Sequence, residues 1–142
     1  MIIGNLALTF AALFAGAAFY INFAEQPARL KLDPDQLLKQ WAPSYKRGFV
    51  MQATLAVLSG LSALYVYFTS QNLNWLIGAG LILANWPFTL LVIMPTNHKI
   101  LAVKMGAADA SSVKMIVHWG KLHAIRTCLG VLAVIFFLNA LR

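Results

Sequence analysis

Residues 2–24, IIGNLALTFAALFAGAAFYINFA, run for about six helical turns without one charged side chain. A bilayer core of ~30 Å is crossed by ~20 helical residues, so this stretch is long enough to span it. Three more stretches of the same kind follow, at residues 48–69, 74–94 and 119–141. Together they take up most of the 142 residues and leave only two polar segments, 25–47 and 95–118, plus a short turn near 70–73. The chain is 61% hydrophobic and 11% charged, with a mean hydropathy of +0.74. Soluble domains carry about 25% charged residues. The reading is an all-α, integral membrane, four-helix transmembrane bundle forming a single domain over residues 1–142.

The formal net charge of +7 does not point to nucleic acid, because the basic residues are not arranged as a binding face. Nine of the eleven, Arg29, Lys31, Lys39, Lys46, Arg47, Lys99, Lys104, Lys114 and Lys121, lie in the two polar segments or in the first turn of span four. With four spans, those segments share one side of the membrane. The positive-inside rule makes that side cytoplasmic, so both termini are expected outside. Anionic lipid headgroups are the second reading of the same charges. The first stretch lacks the basic start and the short apolar run of a secretory leader and is read as a span. The single cysteine, Cys128, falls within span four, so no intrachain disulfide forms.

Small residues punctuate the spans. Ala11/Ala15 and Ala12/Gly16 in span one, and Ala56/Gly60 and Ser59/Ala63 in span two, are four apart, the spacing that lets helices approach closely in lipid. Such faces also suit a homo-oligomer. Pro27 is expected to end span one near Ala24 or Glu25. Residues 33–42, DPDQLLKQWA, offer Asp33 as an N-cap and Pro34 as the first helical residue. Leu37, Leu38 and Trp41 fall on one side, which predicts a short interfacial helix in the first cytoplasmic loop, broken by Pro43. Pro87 is expected to kink span three, and Pro95 to end it. Ser111 or Ser112 is expected to cap the last helix.

The polar side chains within the spans gather at one depth. Glu25 closes span one, Tyr45 and Gln52 open span two, Asn85, Thr89 and Asn97 follow the second half of span three, and Trp119, His123 and Arg126 open span four. At ~100° per residue, Trp119, His123 and Arg126 lie within about 60° of one another. Gly130 and Ala133 continue that face with little bulk, implying a close helix contact or a small cavity. His118 points roughly 110° away. A polar group in lipid needs a partner or a task, and this concentration predicts one polar site in the inner leaflet. The histidines, His98, His118 and His123, show no i, i+4 pair of the helical two-His metal type. Haem held between His98 and His123 on adjacent segments stays open as an alternative, as does a non-enzymatic accessory subunit. No nucleotide-binding glycine loop, Cys-x-x-Cys or Ser-His-Asp set is present.

Taken in order, Gly16-x-x-x-Tyr20, Glu25-Gln26-Pro27-Ala28-Arg29, Trp41-x-Pro43-x-Tyr45, Pro87-Phe88-Thr89, Ile93-Met94-Pro95-Thr96-Asn97 and Trp119-x-x-x-His123-x-x-Arg126 resemble the DUF1772, or anthrone-oxygenase-like, family of small four-helix membrane proteins. The chain departs from that pattern at Gln26, where many relatives are expected to have His. The resemblance implies an oxidoreductase that takes an anthrone or similar lipophilic aromatic compound to a quinone with O₂ and no cofactor. It implies His123 as base, Arg126 and Asn97 as holders of the enolate oxygen, and Glu25 as the group orienting His123 or Arg126. Trp119, Tyr45, Gln52, Thr89 and Tyr20 would contact the substrate. The charge pattern makes its own prediction. In a Cys128→Ser background, a cysteine placed in the 106–112 loop should resist membrane-impermeant maleimide in intact cells and react after lysis; labelling from outside would reverse the topology.

Overall fold

A computed structural model describes residues 2–142, and among them every long element is helical. Four helices are long and apolar enough to cross a membrane: α1 (Ile2–Arg29), α2 (Pro34–Ser70), α3 (Leu73–Leu101) and α4 (Ala110–Ala140). α1 packs on α2 and α4, and α3 packs on the same two. The helices thus stand in an antiparallel square in chain order. Large apolar side chains such as Phe23, Phe68 and Leu91 cover its outside.

The helices run past the apolar stretches at the polar end, and three expected breaks do not occur. Pro43 lies inside α2, which runs unbroken from the Asp33 N-cap to Ser70. The separate interfacial helix is therefore absent. Its apolar side is instead part of the core, with Leu37 and Trp41 fully buried. Pro27 does not end α1, because a π-helical turn over Ile21–Glu25 precedes it and the helix continues to Arg29. Pro95 likewise follows a π-turn, Thr89–Ile93, and α3 goes on to Leu101. A proline has no N–H to return to the carbonyl four residues back. Widening the preceding turn shifts the pairing, so that Gln26 N–H bonds to the Ile21 carbonyl and Met94 N–H to the Thr89 carbonyl. The expected disturbance around Pro87 is present, as a turn at Ala84 that separates Leu73–Leu83 from Asn85–Phe88.

The π-turns keep the polar stripe pointing inward. Four-residue steps on an α-helix drift by about 40° each, so Asn85, Thr89, Ile93 and Asn97 would wind away from the centre on a regular helix. The wider turn absorbs the drift, and all four side chains are buried. π-turns recur at functional sites for this kind of reason.

The loops are tied down by short polar side chains. Asp35 Oδ1 accepts from the backbone N–H groups of Gly106 (3.0 Å) and Ala108 (3.3 Å), holding the 106–108 segment against the start of α2. Asp109, not a serine, caps α4, in a reciprocal capping box with Ser112. The N–H donors of Ser112 and Ser111 hold its carboxyl below the usual aspartate range. Between α2 and α3, Gln71 adopts a left-handed conformation (φ 56°) and Asn72 caps α3 by accepting from Asn74 N–H.

The interior has two apolar layers. One, toward the N-terminus of α1, holds Ala7, Ala11, Phe14, Ala18, Ala56, Ala63, Trp75, Ala79, Ile82, Ala133 and Phe137. The other holds Leu37, Trp41, Ile93, Ile100, Ile116 and Trp119. The buried polar residues Gln52, Asn85, Thr89, His123 and Arg126 fall between them along the helices. The Ala11/Ala15 face of α1 is turned into the bundle, and Ala12 and Gly16 face outward. Gly130 marks a close contact, not a cavity, since Phe14 would lie 2.8 Å from a Cβ there. Gly78 is tighter still, because the Phe137 ring fills the space a Cβ would need, and Phe137 is itself fully buried and stacked on Trp75. Gly78→Leu should therefore lower the thermal midpoint of the detergent-solubilised protein, at a cost of about 1–3 kcal/mol or more. Gly16→Ala, which meets nothing within 4 Å, should leave it unchanged. Equal midpoints in the two variants would show that this layer is loosely packed.

Candidate active site between the two apolar layers

His123 and Arg126 are brought inside the bundle by the helical spacing that places them on one face of α4, and they are 1% and 7% exposed. The His123 ring packs on Trp119 at 5.0 Å between centroids. Its Nδ1 lies 2.9 Å from Asn22 Oδ1 on α1. Thr127, one turn farther along α4, donates to the same oxygen at 2.8 Å, and Asn22 Nδ2 donates to the Gly120 carbonyl at 2.9 Å. Gly120 is needed here: a Cβ would come 2.6 Å from Gln26 Nε2. Gln26 donates to the Ile116 carbonyl at 2.8 Å. At the position where the family resemblance suggests a histidine, this glutamine pins α1 to the backbone of α4.

Arg126 reaches across the bundle. Its guanidinium carbon lies 5.6 Å from the Phe14 ring, and the side chain also lines a narrow cleft between α2 and α3 with Phe49, Gln52, Ala53, Asn85, Trp86 and Thr89. Four polar atoms of this group are buried without a hydrogen-bond partner: Gln52 Nε2, Asn85 Oδ1, Thr89 Oγ1 and Arg126 Nε. Buried polar groups are rarely left so. Among the described residues no carboxylate pairs with Arg126. The cleft meets an apolar groove on the outside of the bundle, to which Phe49 and Trp86 also belong. These two rings stand edge to face, 6.5 Å apart, at the boundary.

Glu25 is elsewhere, and it orients neither His123 nor Arg126. Its carboxylate forms the one ion pair among the described residues, with Arg29, and also accepts from Ser44 Oγ and from Gln40 Nε2 at 3.0 Å. Arg29, buried at 2% exposure, lies 5.6 Å over the Trp119 ring. Glu25 thus holds α1 to α2 through Arg29, Ser44 and Gln40, one layer away from the cleft.

Asn97 is fully buried but is not among the residues lining the Arg126 cleft. Its amide lies 3.9 Å from Met94 Sδ, which also accepts from the Tyr45 hydroxyl at 3.5 Å. Tyr45 stacks on Trp41 at 4.9 Å, and Trp41 meets Trp119 edge to face at 5.8 Å. Trp119 and Tyr45 therefore belong to an aromatic floor below the His123 level. Gln52 and Thr89 lie on the cleft, whereas Tyr20 is 62% exposed on the outside of α1. Of the anticipated residues, Arg126, Gln52 and Thr89 line the cleft, while His123 and Trp119 are buried on the same α4 face as Arg126 without lining it. Asn22, Gly120, Thr127 and Phe49 were not anticipated. Asn22 was legible as the one amide in the second half of span one, at the end where the other polar residues gather. His98 and His118 are exposed, and among the described residues no three His, Cys, Asp or Glu side chains converge as a metal site.

Comparison with known proteins bears on what such a centre does. Residues 41–136, which carry the aromatic floor, the cleft and the His123/Arg126 pair, match the family described as anthrone oxygenase. The anthrone oxygenase of Claviceps purpurea (strain 20.1) is 28% identical over 138 residues, covering 87% of this chain and 79% of that relative. Anthrone oxygenase ptaC of Pestalotiopsis fici is 29% identical over 123 residues, covering 75% and 86%. Anthrone oxygenase tpcL of Aspergillus fumigatus is 33% identical over 102 residues, covering 65% and 62%. No solved structure matches. With more than half of its length inside the family match, including the whole polar centre on α2–α4, this chain belongs to the anthrone oxygenase family.

Proposed function

We propose that the protein is a membrane-embedded oxygenase that deprotonates a lipophilic aromatic ketone of the anthrone type and passes the resulting enolate to O₂. The observation that carries this reading is Arg126, a buried guanidinium with no carboxylate partner, lining a cleft with three neutral side chains that each hold one polar atom without a partner. A buried cation is costly unless it is paired. A substrate whose oxygen becomes negative during the reaction supplies the pair only as charge develops, which is the condition for stabilising a transition state over the ground state.

Each step follows from groups at the centre. His123 takes a proton from the ring carbon conjugated to the ketone, leaving an enolate whose oxygen faces Arg126, with Gln52, Asn85 and Thr89 beside it. The electron-rich carbon gives up electrons to O₂ and forms a C–O bond. The imidazolium returns its proton to the peroxide oxygen, giving a hydroperoxide. Loss of the second hydrogen from that carbon, with cleavage of the O–O bond, releases water and leaves the quinone carbonyl. The net change is ketone plus O₂ to quinone plus water, with no further electron donor. Cofactor-independent turnover is part of the proposal. Substrate dissolved in the bilayer enters from the outer groove, and because the cleft is narrow Phe49 and Trp86 part to admit it. The aromatic floor at Trp119 and Tyr45 excludes water. The charge pattern supports a placement with both termini on the non-cytoplasmic side.

The test is turnover of anthrone by the purified protein in detergent, followed by O₂ uptake and quinone absorbance. His123→Ala should reduce kcat by ~10²–10⁴-fold, the usual scale of general-base catalysis, with the fold intact. Arg126→Lys should also be damaging, because an ammonium does not reproduce the planar donor fork. His118→Ala, on the exposed side of α4, should be nearly silent. Equal losses of activity and thermal stability in the two histidine variants would instead favour a non-enzymatic bundle in which the polar layer serves assembly.

A further inference from the structure

The hydrogen bonds around Asn22 select one of the two neutral forms of His123. The oxygen and nitrogen of an amide are told apart by their partners. The Gly120 carbonyl can only accept, so it must face the amide N–H, as it does at 2.9 Å. That orientation turns Asn22 Oδ1 toward His123 Nδ1 (2.9 Å) and Thr127 Oγ1 (2.8 Å). Oδ1 has no hydrogen to give. Nδ1 must therefore carry one, and in the neutral ring the lone pair lies on Nε2. Reversing the amide would set its oxygen against the Gly120 carbonyl oxygen with no hydrogen between them.

We infer that Asn22 is a positioning residue that holds hydrogen on His123 Nδ1 and so presents Nε2 as the only proton acceptor of the ring. The catalytic half of this inference rests on the reaction proposed above; the tautomer rests on hydrogen bonding alone. Nδ1–H stays on Asn22 in both the neutral ring and the imidazolium, so the proton moves on and off Nε2 only. Left to itself, a neutral imidazole favours hydrogen on Nε2, which would put the lone pair on the nitrogen facing α1. The arrangement has the logic of a base oriented by a third group, as in hydrolase triads, with a neutral amide in place of a carboxylate. An amide orients the ring without adding a negative charge to compete with the substrate oxygen for Arg126. Thr127 supports the amide oxygen, and Gly120, lacking a Cβ, lets α1 approach closely enough for its carbonyl to be reached.

The test is long-range ¹H–¹⁵N correlation of the ¹⁵N-histidine-labelled protein in detergent at mildly alkaline pH, with His123 assigned by its absence in His123→Gln. The wild type should show a protonated Nδ1 and an unprotonated Nε2 at His123. Asn22→Leu, close in volume, should switch the hydrogen to Nε2 and leave the His98 and His118 signals in place. Thr127→Val should keep the wild-type tautomer, because the Gly120 carbonyl still fixes the amide. In the anthrone assay, Asn22→Leu should lower kcat at least ~10²-fold, in line with the loss when a base is held in the wrong tautomer, with KM little changed. Hydrogen on Nε2 in the wild type overturns the inference, and this measurement does not depend on any variant folding. An unchanged tautomer in Asn22→Leu overturns it too. A switched tautomer with full turnover overturns the catalytic half. A wild type inert toward anthrone but protonated on Nδ1 overturns the reaction and that half together, and leaves the hydrogen-bond assignment standing.

Discussion

Hydrogen-bond closure is the constraint on which this structure depends. The outside of the bundle is apolar, so polar side chains turned inward have to find partners among themselves or in the backbone. Much of the polar layer meets part of that demand by tying helices together, although single atoms of Gln26 and Gln40 and two of Arg29 stay without partners. Asn22 and Gln26 bond to carbonyls at the start of α4, Ser59 bonds to the Ala7 carbonyl at 2.8 Å, and Glu25 gathers Arg29, Ser44 and Gln40. Around Arg126 the charge itself is also left without a carboxylate, with Gln52, Asn85 and Thr89 each holding a polar atom without a partner. Placed between two close-packed apolar layers, this group is set apart by a buried cation that no carboxylate neutralises.

The prolines show how backbone geometry serves that layer. Pro27 and Pro95 stand on α1 and α3, opposite corners of the square, and each follows a five-residue π-turn by the same interval. Each wider turn keeps residues four apart on the same side, which aligns Asn22 with Gln26 on α1 and Thr89 with Ile93 and Asn97 on α3. Pro43 has no such turn before it, and α2 runs through it as an unbroken α-helix. Proline thus has three outcomes in one chain: a position inside an unbroken helix, a widened turn, and at Pro87 a local break whose loose carbonyls at Leu81 and Ile82 are covered by the Asn85 amide.

The division of labour between the two cationic centres follows from their surroundings. Arg29 and Arg126 are both buried arginines near an aromatic ring. Arg29 has a carboxylate beside it and acts as a brace. Arg126 has none, and its neighbours are amides, a hydroxyl and two aromatic rings at the edge of the bundle. Charge alone does not separate them, whereas the presence or absence of Glu25 does.

The sequence by itself determined the four helices and their antiparallel order, because these depend on the length and spacing of apolar runs along one chain, whereas the polar residues read as one level divide between the cleft and the aromatic floor. The inward direction of His123 and Arg126 was legible for the same reason, since both lie on one helix whose period is known. What pairs with what was decided only by tertiary structure. Glu25 and Asn22 are three residues apart, and either is placed to approach α4. Packing, through the π-turn and the bare backbone at Gly120, gives His123 the amide and leaves the carboxylate to Arg29. The merging of residues 33–42 into α2 has the same origin. Leu37, Leu38 and Trp41 form an apolar side that suits a membrane surface or a helix core equally well, and only the neighbouring rings of Tyr45 and Trp119 decide between them.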